Sequence, residues 1–213
     1  KMISTTDDHM GRIMKRLEQH GLTQNTIVVF MSDNGHSAEK NKIKGNNHKS
    51  GLAEGTNYGA NGGGGNTGKW RGQKATFFEG GLRVPAIISY PAELPTGVLR
   101  NQAITAMDWM PTILDLCKIA TPEVKLDGSS LLPVIQSESA ISPYTALHWQ
   151  WGKRWAVREG SWKLVGHKDK GQFLGSLSDP KPEMKNYLKT NPEVVERLQA
   201  LHNEWAEDVQ PNP

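Results

Sequence analysis

Residues Thr26-Ile27-Val28-Val29-Phe30-Met31 form an apolar, β-branched run with no polar alternation. Such a run fits a strand covered on both faces, the kind found in parallel sheets, and predicts a central parallel strand here. It ends in Ser32-Asp33-Asn34-Gly35-His36, which sets metal-capable side chains at the carboxyl end of a buried strand, where α/β sheets collect their ligands. Before it, Met10, Ile13, Met14 and Leu17 recur at helical spacing. With Asp7 and Asp8 near the start and Gly21 as a stop, they predict an amphipathic helix.

Beyond the run, residues 37 to 72 have almost no apolar periodicity and contain Asn61-Gly62-Gly63-Gly64-Gly65-Asn66, which predicts a long loop covering a site. A second buried strand is expected at Val84 to Tyr90, and a third apolar stretch begins near Ala103. Asp108 is placed to cap a helix carrying Met110, Ile113, Leu114 and Cys117, with Cys117, the single cysteine, as a buried thiol. From about Ser137 short strands follow at 145–149, 155–158 and 162–165, the last two joined through Glu159-Gly160-Ser161 as a hairpin. Pro192 opens a final helix with Val194, Val195, Leu198, Leu201, His202 and Trp205 on one face. This divides the chain at about 136.

Composition sets the outer bounds. The 213 residues are 36% hydrophobic and 22% charged, so the chain has material for a sizeable core. A net charge of +3 without a dense basic run is too small to imply a nucleic-acid partner, and no stretch reaches the roughly 20 apolar residues of a membrane span.

Two segments carry chemistry. Asp33-Asn34 pairs a carboxylate with an amide oxygen, the hard donors that calcium or magnesium takes, although Asp-Asn-Gly is also a common turn. Lys69 to Pro85 mixes cations with glycines before a buried strand, and a lysine held there suits an anionic oxygen as readily as it suits solvent.

Together these segments resemble the sulfatase family, in which Asp-Asn-Gly follows a central strand and a Lys-x-x-x-x-Glu-Gly-Gly-x-Arg-Val-Pro stretch comes later, here Lys74 through Pro85. The resemblance extends through Asp7-Asp8-His9-Met10-Gly11-Arg12, Asp127 to Pro133, Trp155 to Leu164 and the Pro192-Glu193 helix start. It implies an α/β fold: residues 1–136 as the C-terminal part of a catalytic domain, a large mixed and mostly parallel sheet flanked by helices, and 137–213 as a small antiparallel sheet with a C-terminal helix. It implies Asp33 and Asn34 as calcium ligands completed by two aspartates from outside this chain, and Lys74 as the contact to a sulfate ester. His36 is a candidate for substrate binding, as is His148, with His48 as a further pocket-lining possibility. The implied substrate is a sulfated carbohydrate or aryl sulfate, in an exported or lysosomal compartment.

The formylglycine nucleophile of sulfatases arises from a Cys/Ser-x-Pro-x-Arg motif, which neither Cys117-Lys118-Ile119 nor Ser142-Pro143 matches. The expectation is that the chain begins midway through the fold and that an N-terminal half of the same protein supplies the nucleophile. Gly63-x-x-x-x-Gly68-Lys69 imitates a phosphate-binding loop, but Trp70 stands where Ser or Thr is required. Gly68-Lys69-Trp70-Arg71 likewise imitates a sulfatase signature out of order, so no catalytic role is assigned to it. Two other readings compete: phosphoryl hydrolysis within the same superfamily, and a non-catalytic carbohydrate-binding module built on Trp149, Trp151, Trp155 and Trp162.

Overall fold

A computed structural model describes residues 2–37, 41–58 and 65–209. Asn61 to Gly64 of the glycine-rich tract, including Gly63 of the imitation phosphate loop, lie outside the described residues. The chain forms two compact units, residues 1–31 with 86–144 and residues 32–85 with 145–213.

In the first unit, helix α1 spans Met2–Gln19. It starts a turn earlier than Asp7 and Asp8 suggest, and Gly21 ends it at φ 67°, where a side chain would be strained. Strand β1, Val28–Met31, pairs with β4, Ala86–Ser89, in register Val28 to Ser89 and Met31 to Ala86. This pairing is antiparallel, which corrects the parallel neighbour expected of β1. An uninterrupted apolar run reports burial, and it is silent on strand direction. Ile87 is 62% exposed among the described residues, so cover on both faces is not found either.

Helix α3, Trp109–Leu116, follows a 3₁₀ turn at Ala106–Asp108. Asp108 is fully buried but caps this turn rather than α3. Its carboxylate accepts the N–H groups of Thr105 (2.6 Å) and Ser129 (2.9 Å) and the hydroxyl of Tyr144. Burial and that carboxylate push the Tyr144 hydroxyl up to about 12. Thr112 closes the knot, donating to the Asp108 carbonyl and accepting the Leu131 N–H next to α4, Leu132–Gln136. The inward face of α3 is Pro111, Thr112 and Leu116, so Met110 and Ile113 lie outward. Cys117 is exposed, correcting the buried thiol: it sits at the helix C-cap, past the last turn that packs.

The second unit contains the two-residue ladder β2 (Asn41–Lys42) with β3 (Asn57–Tyr58), and Ile43 is buried beside it. Its main structure is the antiparallel sheet of β5 (Ala146–Trp151), β6 (Arg154–Glu159), β7 (Trp162–His167) and β8 (Gly171–Ser176) in consecutive order. The β6–β7 turn is the expected hairpin, with Gly160 at φ 55°. Helix α5, Pro192–Val209, packs on β5, β6 and β7. Its Val194 and Leu198 join Val157, Leu164 and Leu174 in the core, as the helical spacing predicts. Both faces of the sheet are covered: Leu164 points into this core, while the adjacent Lys163, on the opposite face by strand alternation, is also fully buried.

Candidate functional site

The Asp33–His36 turn and the segment Arg71–Arg83 are joined through the main chain. Lys74 N–H donates to the His36 carbonyl at 2.8 Å, and Gly35 N–H donates to the Gly81 carbonyl at 3.0 Å. Gly35 permits this approach, and Gly80 and Gly81 let the segment fold closely on itself. A Cβ on Gly35 would lie 1.9 Å from the Gly80 carbonyl oxygen, one on Gly80 would lie 2.5 Å from that of Gly72, and one on Gly81 would lie 2.3 Å from that of Thr76. Real side chains do not tolerate such distances, so the Gly-Gly pair following Glu79 is dictated by close packing of backbone on backbone.

Asp33 is exposed, and its Oδ1 accepts the Asn34 N–H at 3.0 Å. Asn34 is half-buried, its carbonyl accepting the Ser32 hydroxyl at 2.9 Å. This local turn carries one carboxylate and one amide, a donor set that fits calcium chemically but offers only two of the six to eight oxygens the ion takes. No group of three or more His, Cys, Asp or Glu suited to a metal occurs among the described residues. His36 is half-buried in the same turn, and Lys74 is exposed, next to Ala75 at φ 68°.

Behind Lys74 lies a buried charge cluster to which sequence reasoning gave no role. Glu79, the first residue of α2 (Glu79–Leu82), is 3% exposed, and its Oε1 accepts from Lys163 Nζ at 2.8 Å. Its Oε2 meets Arg83 at 2.9 Å and Arg158 at 3.3 Å. Glu183 caps the arrangement by accepting the Glu79 N–H at 2.8 Å, and Lys163 Nζ stands 3.7 Å from its other oxygen. The shifts differ between partners. Burial would raise Glu79, yet Lys163, Arg158 and Arg83 hold it below the usual carboxylate range, whereas burial prevails at Lys163 and lowers it, and prevails at Glu183 and raises it. With three cations within 3.3 Å of Glu79, the ionised pair is the state the geometry supports.

The cations of the signature-like stretch are occupied with packing. Arg71 stacks between Phe78 and Phe173 and donates to the Glu183 carbonyl at 2.8 Å, while Lys69 and Arg83 lie over the Trp70 ring.

His148 sits elsewhere in the unit. Its ring stacks on Trp205 and lies beside His202, which in turn stacks on Trp155 at 4.4 Å. The Nδ1 atoms of both histidines are buried without a hydrogen-bond partner. Burial, with His148 nearby, pulls His202 down to about 4, and burial lowers His148 as well. The ring contacts of His148 are thus to α5. Trp155 and Trp162 pack against the core, which leaves Trp151, 63% exposed, as the outward tryptophan of the four proposed for sugar stacking.

The Glu79–Lys163 pair joins residues 84 positions apart, and the one sequence signal for it is a lysine inside an otherwise buried strand.

Comparison with known proteins identifies the family. The Sulfatase family profile matches residues 1–119, and the profile for the C-terminal region of N-sulphoglucosamine sulphohydrolase matches 68–210. An uncharacterised sulfatase of Schizosaccharomyces pombe is 28% identical over 92% of this chain and 40% of its own length. Human steryl-sulfatase is 30% identical over 68% of this chain and 22% of its own length. The crystal structure of Ps i-CgsB in complex with k-i-k-neocarrahexaose shares the fold with a TM-score of 0.75 at 22% identity, covering 98% of this chain and 42% of that one. The chain therefore spans about two fifths or less of the length of these relatives. Strands, glycine-packed turn and family profiles converge, and the chain belongs to the sulfatase family.

Proposed function

We propose that this chain supplies two calcium ligands and a sulfate-contacting lysine to a sulfatase that hydrolyses a sulfate ester on a carbohydrate or aryl substrate. The observation that supports this reading is the pair of main-chain hydrogen bonds, Lys74 to His36 and Gly35 to Gly81, which hold the lysine segment against the Asp33-Asn34 turn. Asp33 and Asn34 would hold the calcium with further oxygens from outside this chain. A bound calcium supplies positive charge to the sulfuryl oxygens. Lys74 adds a point charge to the same oxygens and so offsets the charge that develops as the ester bond breaks. In this reading His36, whose carbonyl bonds Lys74, would meet the sugar or aryl part of the substrate, and His148 has the weaker claim because its ring is stacked in the α5 contact.

The nucleophile, a formylglycine in this reading, comes from an N-terminal half of the same protein, which would also cover the apolar surfaces of the first unit. Residues 1–136 are then the C-terminal part of the catalytic domain and 137–213 its small companion, in a protein that is exported or lysosomal. Among the described residues no helix is long and apolar enough to cross a membrane.

Calcium titration and aryl-sulfate kinetics on the complete protein test the two roles separately. Asp33→Ala is expected to weaken calcium binding at least tenfold, and Lys74→Ala to lower kcat about a hundredfold with calcium affinity kept. Unchanged kcat in Lys74→Ala removes it from the mechanism. Faster turnover of a phosphate ester than of the sulfate ester would instead favour phosphoryl hydrolysis.

A further inference from the structure

The segment that carries Lys74 is fastened to the C-terminal sheet at two points. At one end Arg154 of β6 donates to the Ala75 carbonyl at 3.0 Å, and its guanidinium lies over the Trp151 ring. At the other end Lys163 of β7, fully buried, holds Glu79 at 2.8 Å, with its ammonium also near the Trp149 ring. Two residues tied to these points adopt conformations that need support. Ala75 has φ 68°, and Glu183, whose carboxylate accepts the Glu79 N–H, has φ 58°. Left-handed backbone at a residue with a side chain persists where surrounding contacts over-determine it, and it clusters at functional sites. Two of the three such residues among those described belong to this one network.

We propose that Lys163 and Arg154 are positioning residues: by anchoring Glu79 and the Ala75 carbonyl, the C-terminal sheet sets where Lys74 is presented beside the Asp33–His36 turn. This rests on the sulfate-contacting role given to Lys74. The design has a physical reason. The stretch 73–75 that carries Lys74 is exposed, and a catalytic contact displaced by about 1 Å loses about a hundredfold in rate, so contacts from outside the stretch must order it. A buried lysine and a guanidinium on rigid, hydrogen-bonded strands do this. Both act through Glu79 and Ala75, and neither is assigned a contact with substrate.

The test uses the complete protein with three changes. Arg154→Ala alters an exposed side chain and leaves the core intact. Lys163→Met alone strands Glu79 and risks unfolding, so it is paired as Glu79→Gln/Lys163→Met, which removes both charges of the pair. Amide hydrogen exchange is read at Gly35, Lys74 and Gly80, and at β8 and α5 as controls. Exchange at the three site amides is expected to rise about tenfold in Arg154→Ala and more in the double variant, with α5 unchanged in Arg154→Ala. Aryl-sulfate kcat is expected to fall about ten- to a hundredfold with KM changed less than threefold, and Arg154→Lys to recover part of it. Unaltered exchange at Gly35 and Lys74 in both variants overturns the proposal, as does unaltered kcat where Lys74→Ala itself lowers it. If exchange rises while Lys74→Ala turns over normally, the anchoring stands and the catalytic reading of Lys74 is what fails.

Discussion

The two units divide the apolar surface of the chain very differently. In the second, Val157, Leu164, Leu174, Val194 and Leu198 close into one core between the four-stranded sheet and α5, and the other sheet face is sealed by charge pairing around Lys163. In the first, α1, β1, β4 and α3 each have an apolar face, but Ile13, Phe30, Ile87, Met110 and Ile113 remain exposed among the described residues, and a polar knot gathers around the buried Asp108. The contrast teaches that amphipathic pattern and completed packing are separate properties. A stripe of apolar residues states that a face will be covered, and only the tertiary partner decides by what.

The sharpest way to break this comparison is to truncate matched side chains in the two units. Leu198→Ala, at a fully buried position, is expected to cost about 2–5 kcal/mol, whereas Ile113→Ala, 38% exposed, should cost under about 1 kcal/mol. Denaturant unfolding of the complete protein measures both. Equal costs would show that Ile113 is as well covered in solution as Leu198, and the contrast would vanish.

A second, smaller effect sharpens the account of the α5 contact. His202 is buried neutral, its value lowered from 6.5 to about 4, so the unfolded chain binds more protons between those values. Stability is therefore full above about pH 6.5 and falls as pH drops toward 4, by about 1–3 kcal/mol. His202→Phe keeps an aromatic ring beside Trp155 and removes the titration. Its urea midpoint should decline less than that of the parent over this window, and parallel profiles would show that His202 titrates freely.

The smallest effect is expected at the rim of the same contact. Arg197 on α5 meets Glu159 on β6 at 2.8 Å, with both side chains partly exposed, and Arg197→Ala should cost no more than about 0.5 kcal/mol. A larger loss would mean that surface charge, rather than the Leu198 core, holds the helix.

Much of this was legible in the sequence where the signal is local. The β6–β7 hairpin follows from Glu159-Gly160-Ser161, and α5 follows from Pro192 and the spacing of Val194, Leu198 and His202. The Asp33-Asn34-Gly35 and Lys74 to Pro85 segments stand out by composition, and the structure brings their backbones together. What stayed hidden depends on distant pairing. The antiparallel partner of β1 is more than fifty residues away, beyond the 32–85 excursion. The outward turn of α3 depends on Thr112 being drawn in by the Asp108 and Leu131 backbones, which reverses the face that hydropathy selects. Lys163 looked like any strand lysine, because its carboxylate partner comes from α2.

The close approach of Gly35, Gly80 and Gly81 has a consequence for how such a protein can diversify. Because the two segments are registered through carbonyls and amides, the hydrogen bonds between them use no side chain of the residues that form them. The side chain of His36 can therefore be exchanged without removing the bond that its carbonyl makes to Lys74. Variation is thereby open to side chains along this main-chain contact, while Gly35, Gly80 and Gly81 tolerate none.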